Sequence, residues 1–191
     1  MTNLIKYVWV GVWLLLSTTA LSAQNQTNYW HFGDRVGLNF NFSPPRVWHN
    51  SPKFAHRGGI TQSDEQGKLL FYTQGRFIYD RAGWILAQNL RNKYTRGQTT
   101  FALPGNPSLH YLFHTAPMGA FIPKQGRLDH NNGLFYTIIN TTAKQRSKKV
   151  VKKNIPIKAG IIPATATMRH ANQRDYWLVV RDTLKTSMLI W

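Results

Sequence analysis

The sequence predicts an all-β fold: a partial β-propeller-like array of about three antiparallel blades, incomplete as a propeller, behind a signal peptide. Three observations carry this expectation. Beyond residue 24 no long segment places apolar residues at helical spacing; short apolar runs are instead broken by Gly, Pro, Asn and Asp. Aromatic residues make up 13% of the chain, and such side chains favour half-buried pleated surfaces. Strand-turn-strand units of related pattern also recur, as the blades of a propeller do.

The first element is a processing signal. "MTNLIKYVWVGVWLLLSTTALSA", residues 1–23, has one charge at Lys6, an apolar run over residues 7–16 and small residues up to Ala23. This is the order of a secretory signal, with cleavage expected between Ala23 and Gln24 and a domain over residues 24–191. The apolar run has 10 residues, against about 20 needed to cross a bilayer, so no membrane span is expected after cleavage. No cysteine is present, so the exported domain must be held by packing alone, and lipid attachment at a cysteine is excluded.

The clearest unit follows as "GGITQSDEQGKLLFYTQGRFIYDRAGWIL". A polar turn, Asp64 to Gly67, leads into a strand containing Leu70, Phe71 and Tyr72. Gly75 then breaks the chain, which predicts a hairpin pairing residues 69–73 with 76–79. Simple alternation would put Leu70 and Tyr72 on one face and Leu69, Phe71 and Thr73 on the other. Both faces are apolar, as in a sheet stacked between neighbours. A second unit reads "TTFALPGNPSLHYLFHTAP" with the partner strand "NGLFYTIINTT". A third reads "ATATMRHANQRDYWLVVRDTLKTSMLIW". Each carries a pair of aromatics: Phe71 with Tyr72, Tyr111 with Phe113, Tyr176 with Trp177. Leu70 and Tyr111 are 41 residues apart, close to the period of about 40–45 in a blade. The 65 residues from Tyr111 to Tyr176 imply an insertion.

The opening "NYWHFGDRVGLNFN" and the hairpin "GGITQSDEQGKLLFYTQGRFIYDRAG" resemble the N-terminal propeller-like region of large Bacteroidota cell-surface proteins. Those proteins end in a gliding-motility-associated, type IX secretion sorting domain. Trp30, Phe32, Gly33, Gly37, Leu38 and Phe40 carry the opening, and Asp64, Gly67, Leu69 to Thr73 and Gly75 carry the hairpin. "HANQRDYWLVV" resembles a later strand of the same region. The resemblance implies an extracellular or outer-membrane surface location and a scaffold or adhesion role. The chain departs from it in Tyr79-Asp80-Arg81, where an Asn-rich turn is usual, in its basic run, and in ending at "KTSMLIW" with no sorting domain. A fragment with an open sheet edge, able to self-associate, is the corresponding expectation.

Charge supplies the alternative. Lys and Arg number 24 against seven carboxylates, a net charge of +17. Most are dispersed, but "KQRSKKVVKK" at 144–153 places Lys144, Arg146, Lys148, Lys149, Lys152 and Lys153 within ten residues. One reading is a patch for phosphate, lipopolysaccharide or acidic glycan. The other is a hairpin tip or edge strand guarded by lysines against sheet aggregation. Export argues against nucleic acid as the partner of either; a surface glycan, lipopolysaccharide or a protein is expected.

Catalysis finds little support. The seven carboxylates are Asp34, Asp64, Glu65, Asp80, Asp129, Asp175 and Asp182, mostly in turns. Asp64 and Asp80 flank one hairpin and are the candidates for a facing pair, but turn chemistry explains both better, since Asp bonds its own backbone there. His110 and His114 suggest a metal pair only on a helix; on a strand they stand roughly 13 Å apart. No cofactor is expected. The first expectation is a non-catalytic surface scaffold or adhesion module, the second a polyanion binder, and the weakest an exported hydrolase.

Overall fold

The computed structural model describes residues 22–33, 36–49, 59–92, 97–116, 133–172, 174–182 and 188–190. The protein is all-β, and its strands form four antiparallel sheets taken in chain order. Sheet 1 contains β1 (Tyr29–Gly33), β2 (Val36–Asn39) and β3 (Arg46–Trp48). Sheet 2 contains β4 (Thr61–Ser63), β5 (Leu69–Gln74), β6 (Phe77–Asp80) and β7 (Ile85–Ala87). Sheet 3 contains β8 (Gln98–Leu103), β9 (Asn106–Thr115), β10 (Gly133–Asn140) and β11 (Val150–Ala159). Sheet 4 contains β12 (Ile161–Arg169), β13 (Tyr176–Asp182) and β14 (Met188–Ile190). Each sheet is a meander of consecutive strands, as in a propeller blade. The three units read from the sequence are sheets 2, 3 and 4; the N-terminal stretch forms the additional sheet. Most of the predicted signal lies outside the described residues, and Ala23 and Gln24 fall in a 3-10 turn, Ser22–Thr27.

Sheets stack face on face because adjacent residues of one strand point into different cores. Tyr72 and Tyr79 of sheet 2 join Leu69 and pack with Tyr29 and Trp48 of sheet 1. Phe71 and Ile78, next to them in sequence, pack instead with Leu112 and Ile139 of sheet 3. On β9 the same switch occurs between Leu112 and Phe113, the latter joining Leu134, Ile161, Leu178 and Val180 between sheets 3 and 4. Sheets 2 and 3 are therefore buried on both faces, which accounts for their nearly continuous apolar strands.

The hairpin that carries this arrangement pairs Gln74 with Phe77 and Tyr72 with Tyr79. Its two-residue loop is Gly75-Arg76, so Gln74 belongs to the strand and Arg76 to the turn, one step from the predicted pairing of 76–79 with 69–73. Gly75 has φ +54, and a Cβ there would meet nothing within 4 Å. Positive φ at the first loop position of a type II′ turn is thus the reason for glycine. The alternation expected from sequence is also corrected. Gln62 pairs with Phe71 but its neighbour Ser63 pairs with Leu69, so Leu70 is the extra residue of a β-bulge. The bulge resets the pleat: Leu69 shares a core with Tyr72, and Leu70 packs on the side of Phe71.

Candidate functional site

A basic groove of about 450 Å³ runs between sheet 2 and the tip of the β10–β11 hairpin. Its walls carry Lys68, Arg81, Lys144, Arg146 and Lys149 against a single carboxylate, Asp80. Local chemistry fixes each wall. Asp64 Oδ1 accepts the backbone N–H groups of Gln66 and Lys68 at 3.1 and 2.8 Å, shaping the turn that delivers Lys68 to the start of β5. Asp80 Oδ1 accepts the N–H groups of Ala82 and Trp84, both at 2.9 Å, and so sets the turn that presents Arg81. Both aspartates do the backbone work their turn positions suggested.

On the other wall, Asn140 Oδ1 accepts the N–H groups of Thr142 and Ala143 and turns the chain out of β10. A 3-10 turn, Arg146–Lys148, follows and leads into β11. The Asn140 N–H donates to the Lys149 carbonyl at 2.6 Å, closing the loop at its base. Arg146 is held from two sides: its Nε lies 3.4 Å from Asp80 Oδ2, and its guanidinium carbon sits 4.6 Å from the centre of the Trp84 ring. The one acidic group of the groove is thereby engaged by two backbone amides and one guanidinium, while Lys68, Arg81, Lys144 and Lys149 add positive potential.

The six basic residues singled out from sequence divide. Lys144, Arg146 and Lys149 line the groove. Lys152 and Lys153 are exposed on β11, the edge strand of sheet 3, where lysine blocks strand addition. Lys153 Nζ donates to the Gln88 carbonyl at 3.3 Å, a tie back to sheet 2. Lys148 is exposed on the hairpin tip. Lys68 and Arg81 escaped the sequence reading because 76 residues separate Lys68 from Lys144; the two turns that bear them were visible, their convergence on a distant hairpin was not.

The histidine pair lies on β9, a strand as expected. Both are buried, and burial pulls each down to about 4, so both are neutral near pH 7. His114 Nδ1 donates to the Arg91 carbonyl at 3.4 Å, which requires Nε2 to accept from the Thr137 hydroxyl at 3.2 Å. Thr137 Oγ1 in turn accepts the Asn154 N–H. His114 is thus a rivet between strands. Among the described residues no group of three or more His, Asp or Glu is placed to hold a metal ion. Asp34 and Asp129 lie outside the described residues, and Asp175 accepts a hydrogen bond from Asn172 Nδ2 at 2.6 Å.

The blade aromatics take two roles. Tyr111 and Phe113 pack between sheets 3 and 4, where Tyr176 stacks on Phe101 with centroids 4.4 Å apart. Trp177 points the other way and is 38% exposed on sheet 4, beside His170. Trp30 and Phe32 of sheet 1 are likewise more than half exposed. Comparison of the chain with protein-family models, curated proteins and solved structures found no match.

Proposed function

We propose that the protein is a non-catalytic surface module, a scaffold and adhesion element that holds acidic polymers of the cell surface in its basic groove. The observation that carries this reading is the convergence of five cations from two sheets on one groove whose single carboxylate is already engaged. Lys and Arg side chains there gain by exchanging small counterions for one polyanion. The partner class is an acidic glycan or the phosphates of lipopolysaccharide, and the chemistry of the two is shared. Export and surface display are supported by the order of charge, apolar run and small residues over 1–23. The resemblance of the opening and hairpin motifs to gliding-motility and type IX secretion proteins supports a place in such a surface assembly.

The test is a salt titration of binding to heparin and to lipopolysaccharide. Affinity should fall steeply with salt. Alanines at Lys144, Arg146 and Lys149 should weaken both interactions at low salt. Binding that ignores salt, or that survives these changes together with alanines at Lys148, Lys152 and Lys153, sinks the polyanion reading. Affinity traced instead to the exposed Trp30 and Phe32 face would leave an adhesion module of different chemistry.

A further inference from the structure

A second cavity, of about 500 Å³, opens where the turns of sheets 2, 3 and 4 meet the N-terminal segment. The β4–β5 turn brings Ser63, Asp64 and Glu65 to it, the β12–β13 turn brings Arg169 and Arg174, and His110 of β9 contributes to its lining. Its volume is that of a small-molecule site rather than a surface crease. Two observations point to a ligand. Ser63 is 1% and His110 3% exposed, yet Ser63 Oγ and His110 Nδ1 have no hydrogen-bond partner among the described residues. Buried polar atoms are nearly always paired, so two orphans on one cavity wall mark a missing partner that can bond to both. Around them the cavity is amphoteric. Arg169 and Arg174 are exposed and form no ion pair among the described residues, and neither do Asp64 and Glu65.

This combination selects the occupant. Guanidinium groups recognise a carboxylate through paired, charge-assisted hydrogen bonds. Carboxylates and a neutral imidazole or hydroxyl suit alcohols, which both donate and accept. A molecule that offers one carboxylate and several hydroxyls within the size of a single ring meets all of these groups at once. We infer that the cavity binds one hexuronic acid unit, its carboxylate toward Arg169 and Arg174 and its hydroxyls toward Ser63, His110 and the acidic turn. The inference stands apart from the basic groove, which has no buried orphan on its wall and takes charge without shape. It predicts recognition of the carboxylate and the hydroxyls together, with weak dependence on salt.

The probes are glucuronate and galacturonate, titrated into the full chain and followed by calorimetry and by the His110 ring signals in NMR. Glucose, which lacks the carboxylate, and acetate, which lacks the hydroxyls, are the controls. The expected result is binding of a uronate at least tenfold tighter than of either control, with movement of the His110 signals. Arg169→Gln with Arg174→Gln should weaken it tenfold or more, and Ser63→Ala several-fold. Changing Lys144, Arg146 and Lys149 to Gln should leave it unchanged. A uronate trisaccharide binding no tighter than the monomer shows that one unit fills the site; a much tighter one shows that the site takes a unit within a polymer, and both uphold the assignment. If the arginine pair cannot be changed without unfolding, Ser63→Ala and the His110 signals decide the matter in the native fold. Absence of uronate binding at millimolar concentration, equal binding of glucose, or loss of binding in the groove variant overturns it.

Discussion

Arg146 Nε stands 3.4 Å from Asp80 Oδ2, and this contact ties the tip of the β10–β11 hairpin to the end of β6 across 66 residues of sequence. The two partners are unequal. The Arg146 side chain is 54% exposed and the Asp80 side chain 10%, and Asp80 also accepts two backbone N–H groups.

The inequality predicts different costs for losing each. Arg146→Ala removes a largely solvated ion pair and should cost less than about 1 kcal/mol. Asp80→Ala strips the acceptor from the Ala82 and Trp84 amides and should cost on the order of 1–3 kcal/mol. Urea unfolding of the two variants measures the difference; equal losses would mean that Asp80 does not organise its turn.

The bulge at Leu70 gives a second test. Leu69 and Tyr72 share one core and Phe71 faces the other. Phe71→Ala should cost on the order of 3–5 kcal/mol, since its side chain is fully buried, and a loss below about 1 kcal/mol would show that sheets 2 and 3 are not packed through it. In double-mutant cycles Leu69→Ala should couple to Tyr72→Ala and add independently to Phe71→Ala. The reverse pattern is what an unbroken pleat would produce.

Why the pleat was misread from sequence, and much else was not, follows from the range of the forces involved. The hairpin, the Gly75 turn and the backbone roles of Asp64 and Asp80 depend on a few neighbouring residues, so Gly and Asp positions reveal them. The bulge depends on how Gln62 and Ser63 meet β5, which no local pattern records. Sheet 1 was recognised only as a motif, because β3 has three residues and follows Pro44-Pro45, which reads as punctuation. The groove was half legible: the run at 144–153 announced one wall, while Lys68 and Arg81 join it only through the stacking of sheets 2 and 3. The second cavity left no local trace, since its residues come from turns far apart in the chain.

Burial of the histidines sets a pH dependence. The ordinary value is 6.5, and His110 and His114 in the folded chain lie near 4; His31 is lowered by burial in the same sense. Between these values the unfolded chain takes up protons that the folded chain does not. Stability is therefore fully present above about pH 6.5 and falls as the pH drops toward 4, by up to about 1.4 kcal/mol per pH unit for each histidine. Denaturation midpoints across this window should slide downward with acid. His114→Gln, which can still donate to the Arg91 carbonyl and accept from Thr137, should flatten the slope; an unchanged slope would assign the dependence to other groups.

The final prediction separates the two walls of the basic groove from the lysines of the edge strand. Lys68→Ala with Arg81→Ala removes two cations that the sequence cluster does not contain, and Lys152→Ala with Lys153→Ala removes two that it does. Counting charges, the pairs are equivalent: each lowers the net charge by two, from +17 to +15. If net charge alone drew heparin to the protein, both pairs would weaken binding alike. The geometry says otherwise, because Lys68 and Arg81 face Lys144, Arg146 and Lys149 across the groove, while Lys152 and Lys153 lie on β11 outside its lining. Each cation lost from a direct contact should also reduce the steepness of the salt dependence by roughly one unit of log affinity per log salt, whereas a distant charge changes it little. Heparin titrations at several salt concentrations should therefore show a weaker and flatter dependence for the Lys68 and Arg81 pair, with the Lys152 and Lys153 pair close to the parent chain. Identical losses in the two would reduce the groove to a general basic surface.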